Sequence, residues 1–407
     1  MRVALVTPQL AGGGIATYTA TLAAGLAEIG HAVLVLAPGS GPDAGSTRPR
    51  PAPPPPLPEP GQCLLRRLTV GAPRFGRRWY ANLGRVLGFA RAVAEAGRSL
   101  AGSFDVLEAP EWDAPGLLVA ASGRLPVVTR LHGHLRLVRL LNGERLSIED
   151  RLLAALERET IRRATLCAAN STYLARRGAA DHGIPGDRIA VLPLGVDVTR
   201  FRPGDGAGAR AALGLPQGVP IVGFAGRLEP RKGLPAVMAA WRHVMREHPL
   251  AVLAVAGAAA GGRDGAESAA LRNLRLALPP GHLKYLGNLD HARMPDFHRA
   301  VDVLAAPSAG EPFGIVVLEA LATGRPVVAA ASGGIPEIVD DGVHGFLVPH
   351  GDADALAAAL ARLLGNDLMR IKMGEAGRAQ AIGAFSARRQ ACRATEAYEI
   401  ANRAWRA

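Results

Sequence analysis

Apolar positions along the chain form two patterns, short continuous runs and longer stretches at helical spacing. Residues 3–6 and 32–36 are apolar runs, and residues 15–29 between them have apolar positions at helical spacing. Strands that are apolar throughout are typical of a parallel sheet covered on both faces. The order strand, helix, strand therefore predicts a right-handed βαβ unit, with glycines 12–14 directly after the first strand.

The same pattern begins again in the middle of the chain. Residues 220–226 predict a strand that ends in glycine, residues 233–248 contain a helix, and residues 251–256 predict the next strand. A chain of 407 residues with 49% hydrophobic positions can fill two cores. Two successive βαβ starts indicate an α/β protein with two Rossmann-like domains. Further strands are expected near 106–107, 127–129, 166–168, 189–192, 283–286, 303–306, 326–330 and 345–348.

Two stretches of the first half interrupt this pattern. Residues 38–61 are rich in Pro, Gly and Ser, which indicates a loop, either a surface insertion or a lid over a pocket. Residues 64–98 carry eight arginines with apolar residues at partly helical spacing. The two open interpretations are a solvated helix face and a contact with a membrane surface or an anionic acceptor.

Composition restricts which cellular compartment and which class of ligand are expected. The formal net charge is +12, carried almost wholly by arginine, which favours an anionic ligand. No zinc-finger spacing or aromatic RNA-binding motif accompanies it, so no nucleic-acid partner is expected. The three cysteines lie far apart, which argues for a reducing compartment without a zinc site. We predict a cytoplasmic protein and leave open a peripheral contact with the inner membrane face.

The segment from Glu311 to Glu319 carries the sharpest chemical signal. Two carboxylates flank a loop that is predicted to become a helix near Gly314. Backbone N–H groups at a helix N-terminus bind phosphate, because they point at the ligand and the helix dipole favours negative charge. Glu319, further along that helix, is placed to accept hydrogen bonds from ribose hydroxyls.

A second segment supplies cations. The strand at 220–226 ends in a loop that carries Arg227 and Lys232, with glycines that let the backbone approach a ligand closely. Two fixed cations beside a helix N-terminus match the charge of a departing diphosphate, and they do so without a metal ion. Ordinary surface cations are the alternative interpretation.

Taken in order, these motifs carry a family resemblance along nearly the whole chain. The chain resembles glycosyltransferase family 4, which has the GT-B fold of two Rossmann-like domains facing each other across a cleft. The matching segments are Gly12-Gly13-Gly14, Leu131-His132-Gly133, Pro193-Leu194-Gly195-Val196-Asp197, Gly226-Arg227, Lys232-Gly233, the pair Glu311 and Glu319, and Gly333-Gly334-Ile335-Pro336-Glu337.

The resemblance implies a domain plan and a reaction. It implies an acceptor-binding domain at 1–202, a nucleotide-sugar-binding domain at 203–385, and a terminal helix at 386–407 that packs back on the first domain. The expected activity is retaining transfer from a nucleoside-diphosphate sugar, UDP first and GDP next, without a cofactor or metal. The acceptor partner is a glycan, a lipid-linked sugar, or a small polyol or natural product.

The resemblance also assigns roles to individual residues. Catalytic roles are expected for His132, Arg227, Lys232 and Glu311. Donor binding is expected for Gly13, Gly14, Arg227, Lys232, Gly287, Glu311, Phe313, Gly314, Ile315, Val316 and Glu319.

The acceptor residues are less well marked. His132 follows a predicted strand, at the sheet edge where ligands bind in open α/β folds. Glu111, Trp112 and His134 are the candidates for acceptor contacts, with packed histidines and a structural loop around Trp112 as the alternatives. Two other functions remain open: a phosphorylase of related fold, and a nucleotide-sugar-binding subunit without catalysis.

Overall fold

A computed structural model describes residues 1–10, 13–39, 57–70, 81–258 and 269–407. Its contacts divide the chain into a first unit, Met1–Gly195 with Ala387–Ala407, and a second unit, Val196–Ser386. The predictions for Gly12, for most of the Pro-rich stretch and for positions 71–80 of the basic segment lie outside the described residues.

The first unit is built on a parallel sheet, which confirms the predicted α/β class. Its described strands lie in the order β3-β2-β1-β4-β5-β6-β7. Their apolar residues fill the core on both faces of the sheet, as in Val3, Leu34 and Val127, which are fully buried. The strands are β1 (Arg2–Val6), β2 (Ala32–Pro38), β3 (Cys63–Leu68), β4 (Val106–Pro110), β5 (Val127–Leu131), β6 (Leu166–Ala169) and β7 (Ile189–Val191).

Helices cover this sheet, and one of them comes from the far end of the chain. The terminal helix α14 (Ala387–Arg406) packs against α1 (Gly14–Glu28) and belongs to the first unit, as predicted. The hydroxyl of Tyr398 on α14 donates to Oε2 of Glu108 on β4 across 2.8 Å. The remaining helices are α2 (Ala81–Leu100), α3 (Leu117–Ser122), α4 (Leu135–Leu141), α5 (Ile148–Arg163) and α6 (Thr172–His182).

The described part of the basic segment at 64–98 contains a strand and a helix, and the sequence indicated only the partly helical spacing. Its start forms β3, whose residues pair with β2 in parallel register. Exposure along β3 alternates from residue to residue, because side chains of a strand point to opposite faces. Helical spacing holds only from α2 onward, where Arg85, Arg91 and Arg98 are exposed while Val86 and Val93 are buried. That pattern is an amphipathic helix with an exposed basic face, and what this face contacts stays a prediction.

The second unit repeats the architecture with a shorter sheet. Its described strands, all parallel, lie in the order β10-β9-β8-β11-β12-β13. The strand order reverses between β8 and β11, and ligands bind at such a switch point in open α/β sheets. The strands are β8 (Ile221–Ala225), β9 (Val252–Ala256), β10 (Leu283–Tyr285), β11 (Val303–Ala306), β12 (Val327–Ala330) and β13 (Gly345–Val348).

Apolar helix faces complete the core of the second unit. Trp241 is fully buried in a cluster with Phe224 and Leu360. None of the described helices combines the length and the apolar character that a membrane span requires. The helices of this unit are α7 (Gly206–Ala212), α8 (Leu234–Glu247), α9 (Ala269–Ala277), α10 (Met294–Ala300), α11 (Ile315–Ala322), α12 (Ala353–Leu364) and α13 (Asp367–Phe385).

Candidate active site

The candidate donor residues of the second unit follow the carboxyl ends of its parallel strands. Arg227 and Lys232 come after β8, Gly287 after β10, and Glu311 after β11. Carboxyl ends of parallel strands meet at one edge of a sheet. The fold therefore gathers these residues at the edge where open α/β proteins bind their ligands.

Lys232 and Glu311 form a direct ion pair. Lys232 Nζ donates to Glu311 Oε2 across 2.6 Å, and the two side chains are only 17% and 14% exposed. Burial alone would raise the pKa of Glu311, but the charges of Lys232 and Arg231, with hydrogen bonds from Lys232 and Ser308, hold it below its ordinary value. Glu311 is thus a carboxylate at neutral pH. An ammonium group has three donors, so Lys232 can keep this bond and still contact a phosphate.

Two residues that the sequence did not single out extend this pair. Glu229 is buried, forms an ion pair with Arg227 Nη1 at 2.8 Å and accepts a hydrogen bond from Arg231 Nε at 3.0 Å. Arg231 is also buried, and its Nη1 lies 3.9 Å from Glu311 Oε2. Positive and negative side chains therefore alternate along the loop after β8. Arg227 is 56% exposed at the outer end, where a ligand can reach it.

Gly314 caps the helix α11, as the sequence predicted for this segment. The helix begins at Ile315, and the Leu318 N–H donates to the Gly314 carbonyl across 3.0 Å. The N–H groups of Ile315 and Val316 have no carbonyl one turn earlier in the helix. They are the open donors that the diphosphate prediction requires. Phe313 is buried against Phe385, with ring centroids 6.0 Å apart, a placement that favours packing.

The backbone of Glu311 is held by the loop after β12. Gly334 N–H donates to the Glu311 carbonyl across 2.7 Å, and Gly310 N–H donates to Ser332 Oγ across 2.8 Å. Gly333 has φ +67°, and a Cβ there would lie 2.2 Å from the Glu311 carbonyl oxygen. Only glycine allows this approach. The Gly333-Gly334 motif thus fixes the position of Glu311.

Glu319 is buried inside the unit and bonded to two histidines. Its Oε1 accepts from His291 Nε2 at 2.9 Å, and its Oε2 lies 3.4 Å from His298 Nε2. Burial would raise the pKa of Glu319, but the hydrogen bonds and charges of these histidines hold it below its ordinary value. Arg200 in turn bonds His291 Nδ1 at 3.2 Å. The sequence gave no signal for either histidine, because both lie more than twenty positions away.

Gly287 takes part in a close backbone contact. Its carbonyl accepts from Gly257 N–H across 2.7 Å, and Tyr285 Oη donates to the Gly257 carbonyl across 2.9 Å. A Cβ at Gly257 would lie 1.8 Å from the carbonyl oxygen of Gly226. The ends of β8, β9 and β10 are therefore linked through glycine backbone. This leaves Gly287 beside the loop that carries Arg227.

The other predicted residues lie in the first unit. Gly13 has φ +87° and precedes α1, which begins at Gly14; both glycines are exposed. His132 follows β5, and its Nδ1 lies 3.1 Å from Asn170 Nδ2. Within the described residues its Nε2 is buried and has no hydrogen-bond partner. His132 lines a small cavity that also contacts Tyr18 and Glu108.

Glu111 points inward, a placement that favours the structural alternative for this loop. Its Oε1 accepts the N–H groups of His132 at 2.7 Å and Gly133 at 2.8 Å, and the side chain is fully buried. Burial raises the pKa of Glu111 to about 7 against the lowering effect of these bonds. Glu157 accepts from Leu135 N–H at 3.0 Å. Two buried carboxyls therefore hold the loop that carries His132.

His134 and Trp112 occupy similar positions. His134 is buried, its Nε2 donates to Asp181 Oδ2 across 2.8 Å, and its ring meets His182 edge-on at 4.5 Å. Trp112 is half-buried beside a small apolar cluster that includes Leu135. Packing accounts for the contacts of both residues, and their acceptor roles stay predictions.

Two family profiles cover most of the chain. The profile described as "Glycosyltransferase Family 4" matches residues 12–200, and "Glycosyl transferases group 1" matches residues 208–380. The chain is 32% identical to a D-inositol 3-phosphate glycosyltransferase of Kribbella flavida over 71% of its own length and 70% of that protein. The chain belongs to glycosyltransferase family 4. The resemblance stated from the motifs is thereby confirmed.

Other family 4 relatives match over a smaller share of their length. A D-inositol 3-phosphate glycosyltransferase of Nocardia farcinica is 34% identical over 72% of this chain and 66% of its own length. A protein of the same name from Segniliparus rotundus is 41% identical over 49% of this chain and 44% of its own length. The chain thus spans two thirds or less of these relatives.

Solved structures confirm the fold. Sucrose-phosphate synthase of Thermosynechococcus elongatus superposes with a TM-score of 0.75 at 23% identity, covering 98% of both chains. The Anabaena protein Alr3699/HepE, described in complex with UDP and glucose, gives 0.73 at 22% identity over 98% of this chain and 99% of that one. At these identities the likeness establishes the GT-B fold, as predicted.

The family 4 motifs predicted Lys232, Glu311 and Gly314 as site residues. They did not predict the neighbouring side chains of Glu229 and Arg231. Glu229 and Arg231 carried one available signal, the alternation of charge along 227–232. In the part of the chain that the structure describes, no group of three or more His, Cys, Asp or Glu side chains is arranged to hold a metal ion.

Proposed function

We propose that this chain transfers a sugar from a UDP-sugar to an acceptor hydroxyl with retention of configuration and without a metal ion. The observation that carries the proposal is the Lys232–Glu311 pair, 2.6 Å apart, on the same sheet edge as the open N-terminus of α11. Together with the exposed Arg227, these groups match the charge of a nucleoside diphosphate.

The choice of donor and acceptor draws on the relatives. The Anabaena neighbour is described in complexes with UDP and with UDP-glucose, which makes uridine the first base to test. The curated relatives share the name D-inositol 3-phosphate glycosyltransferase. We therefore propose a small polyol or polyol phosphate as the acceptor. A lipid-linked sugar or a glycan is the second candidate.

The proposed chemistry follows from charge development. The bond between the sugar C1 and the β-phosphate oxygen breaks, and negative charge grows on the diphosphate. Arg227, Lys232 and the N–H groups of Ile315 and Val316 are preplaced for that charge, and each such donor is worth about 3 kcal/mol in a transition state. The acceptor hydroxyl attacks C1 from the leaving-group face, and its proton passes to the departing phosphate oxygen. The bonds from C1 to the phosphate oxygen and from the acceptor oxygen to its proton break, those from C1 to the acceptor oxygen and from the phosphate oxygen to the proton form, and configuration is retained.

The decisive experiment measures release of nucleoside diphosphate and transfer to inositol 3-phosphate with a panel of UDP-, GDP- and ADP-sugars in EDTA. Lys232→Ala is compared with Lys372→Ala, which removes an exposed lysine on α13. We expect one UDP-sugar to turn over in EDTA, with activity lost in Lys232→Ala and kept in Lys372→Ala. The anomeric configuration of the product, read by NMR, tests retention.

Two results would replace this proposal. Cleavage of a glycoside by inorganic phosphate, without any nucleotide sugar, would make the chain a phosphorylase. Binding of a nucleotide sugar without turnover in any acceptor combination would make it a binding subunit.

A further inference from the structure

His132 and Asn170 are neighbours because their strands are neighbours. The parallel strands β5 and β6 pair Leu131 with Ala169, so the residues that follow each strand leave the sheet side by side. Asn170 is buried, and its Nδ2 lies 3.1 Å from His132 Nδ1.

The direction of this hydrogen bond is set by Arg130. A guanidinium N–H can only donate, and Arg130 Nε lies 2.8 Å from Asn170 Oδ1. The amide oxygen of Asn170 therefore faces Arg130, and its NH₂ group faces the imidazole. Since that NH₂ group donates, His132 Nδ1 must accept with its lone pair. The single proton of the neutral ring then lies on Nε2.

Arg130 is itself held firmly. It is 1% exposed, its Nη2 donates to the Leu192 carbonyl across 2.5 Å, and its guanidinium lies 5.0 Å from the centre of the Tyr18 ring. With three partners on different elements, Arg130 cannot turn away and release the amide of Asn170. The order of donors from Arg130 through Asn170 to His132 is thus built into the core of the first unit.

We propose that Asn170 is a positioning residue that holds His132 as its neutral Nε2–H tautomer, so that His132 donates a hydrogen bond to a substrate oxygen and does not act as a general base. Within the described residues Nε2 is buried without a partner. Its ring lines the cavity shared with Tyr18 and Pro110. The substrate part of this inference rests on the proposed function.

The charges around His132 agree with a neutral ring. Burial, and then the positive charge of Arg130 on β5, hold the pKa of His132 well below its ordinary value. Tyr18 on α1 meets the ring edge-on, with centroids 4.7 Å apart. The carboxyl of Glu108 on β4 accepts from Tyr18 Oη, and that of Glu111 binds the His132 N–H. No carboxylate among these is bonded to the imidazole.

The first test leaves Asn170 unchanged. In protein labelled with ¹⁵N-histidine, long-range proton–nitrogen correlation distinguishes the two neutral tautomers, and His132→Gln identifies the resonances of His132. We expect the Nε2–H form at neutral pH and no protonation as the pH falls through 6.5. A Nδ1–H tautomer or an imidazolium at neutral pH would overturn the inference.

The second test reverses the polarity of the partner. Asp in Asn170→Asp has no donor, so it can bind the ring only through a proton on Nδ1. The neutral ring then presents a lone pair at Nε2, and we expect transfer to fall about tenfold at pH 8. Acidification protonates the ring and restores the Nε2 donor. The transfer rate of Asn170→Asp, divided by that of wild type, should therefore rise towards one as the pH falls to 5.5. A merely structural defect would leave that ratio independent of pH.

Asn366→Asp is the matched control, because it adds the same charge at the exposed N-cap of α13, where Asp also serves as a cap. It should keep the wild-type pH profile. An Asn170→Asp variant with wild-type tautomer, activity and pH profile contradicts the inference. If wild type turns over no nucleotide sugar, the proposed function fails, whereas the tautomer and its reversal in Asn170→Asp still decide the role of Asn170.

Discussion

Lys232 and Glu311 are 79 positions apart in the chain, yet their charged groups are 2.6 Å apart on the edge of the second sheet. Lys232 keeps the Glu311 carboxyl ionised in a place that is mostly closed to water. The charge proposed to bind the donor and the stability of the second unit are therefore expected to depend on the same pair.

Removing one partner should leave the other uncompensated. We expect Lys232→Ala to lower the free energy of unfolding by about 2 kcal/mol, because Arg231, 3.9 Å away, is then the counter-charge that Glu311 keeps among the described residues. The double variant Lys232→Ala/Glu311→Gln should lose about 1 kcal/mol less than the sum of the single changes. Urea unfolding of all four proteins gives this coupling. Strict additivity would mean that the pair does not interact.

Glu319 is predicted to recognise the ribose hydroxyls. The test compares the affinity of a variant for UDP with its affinity for a UDP analogue that lacks these hydroxyls. Glu319→Gln removes one strong acceptor from the pair of oxygens now bonded to His291 and His298. We expect its affinity for UDP to fall roughly tenfold while its affinity for 2′,3′-dideoxy-UDP stays unchanged. Calorimetric titration of both ligands measures the ratio. An equal loss for both ligands would place the effect on the fold and not on the ribose.

The buried carboxyl of Glu111 should make the first unit less stable as the pH rises. Its pKa in the folded protein is about 7, above the ordinary 4.5, so the folded state holds the proton more tightly than the unfolded state. Its contribution is full below pH 4.5 and falls by about 3 kcal/mol as the pH rises to 7.

Glu111→Gln removes this ionisation and keeps an acceptor for the two amides. We expect the variant to gain thermal stability relative to wild type between pH 5 and pH 8. The exposed Glu396→Gln on α14 serves as the control and should follow wild type. If the difference in thermal stability between Glu111→Gln and wild type did not change with pH, a buried titrating carboxyl would be ruled out.

Gly333 offers a test of how Glu311 is positioned. A methyl group in Gly333→Ala would meet the Glu311 backbone at 2.2 Å and must displace it, which should reduce transfer at least tenfold. Gly342→Ala has a similar φ of +74° but open space around its Cβ. It should cost about 1 kcal/mol of stability and leave kcat unchanged. Equal kcat in the two variants would show that the loop does not position Glu311.

Local pattern was sufficient for the fold and for the residues on its loops. Continuous apolar strands predicted both parallel sheets, and the Glu311–Glu319 segment predicted the helix that begins after Gly314. These features depend on residues close in the sequence. The strand β3 was missed because its arginines resemble those of the helix that follows, and only its pairing with β2 sets its conformation.

Residues that act through distant contacts could not be predicted. Nothing near Glu319 indicates His291 or His298, because the packing of separate helical segments brings them together. Nothing near His132 indicates Asn170, because the pairing of β5 with β6 makes them neighbours. For Glu111 the sequence indicated a role that the contacts of the side chain do not favour. A carboxylate beside a tryptophan matched a sugar-binding pattern, but the backbone amides of His132 and Gly133 turned it inward.

The terminal helix α14 has a consequence for the order in which the chain folds during its synthesis. The first unit needs α14 for the bond from Tyr398 to Glu108 and for that from Gly195 N–H to Gln390 Oε1 at 3.0 Å. The second unit is one continuous segment, complete at Ser386. The strands of the first unit are therefore synthesised before the whole of the second unit, and they must remain without α14 until that later segment has been made.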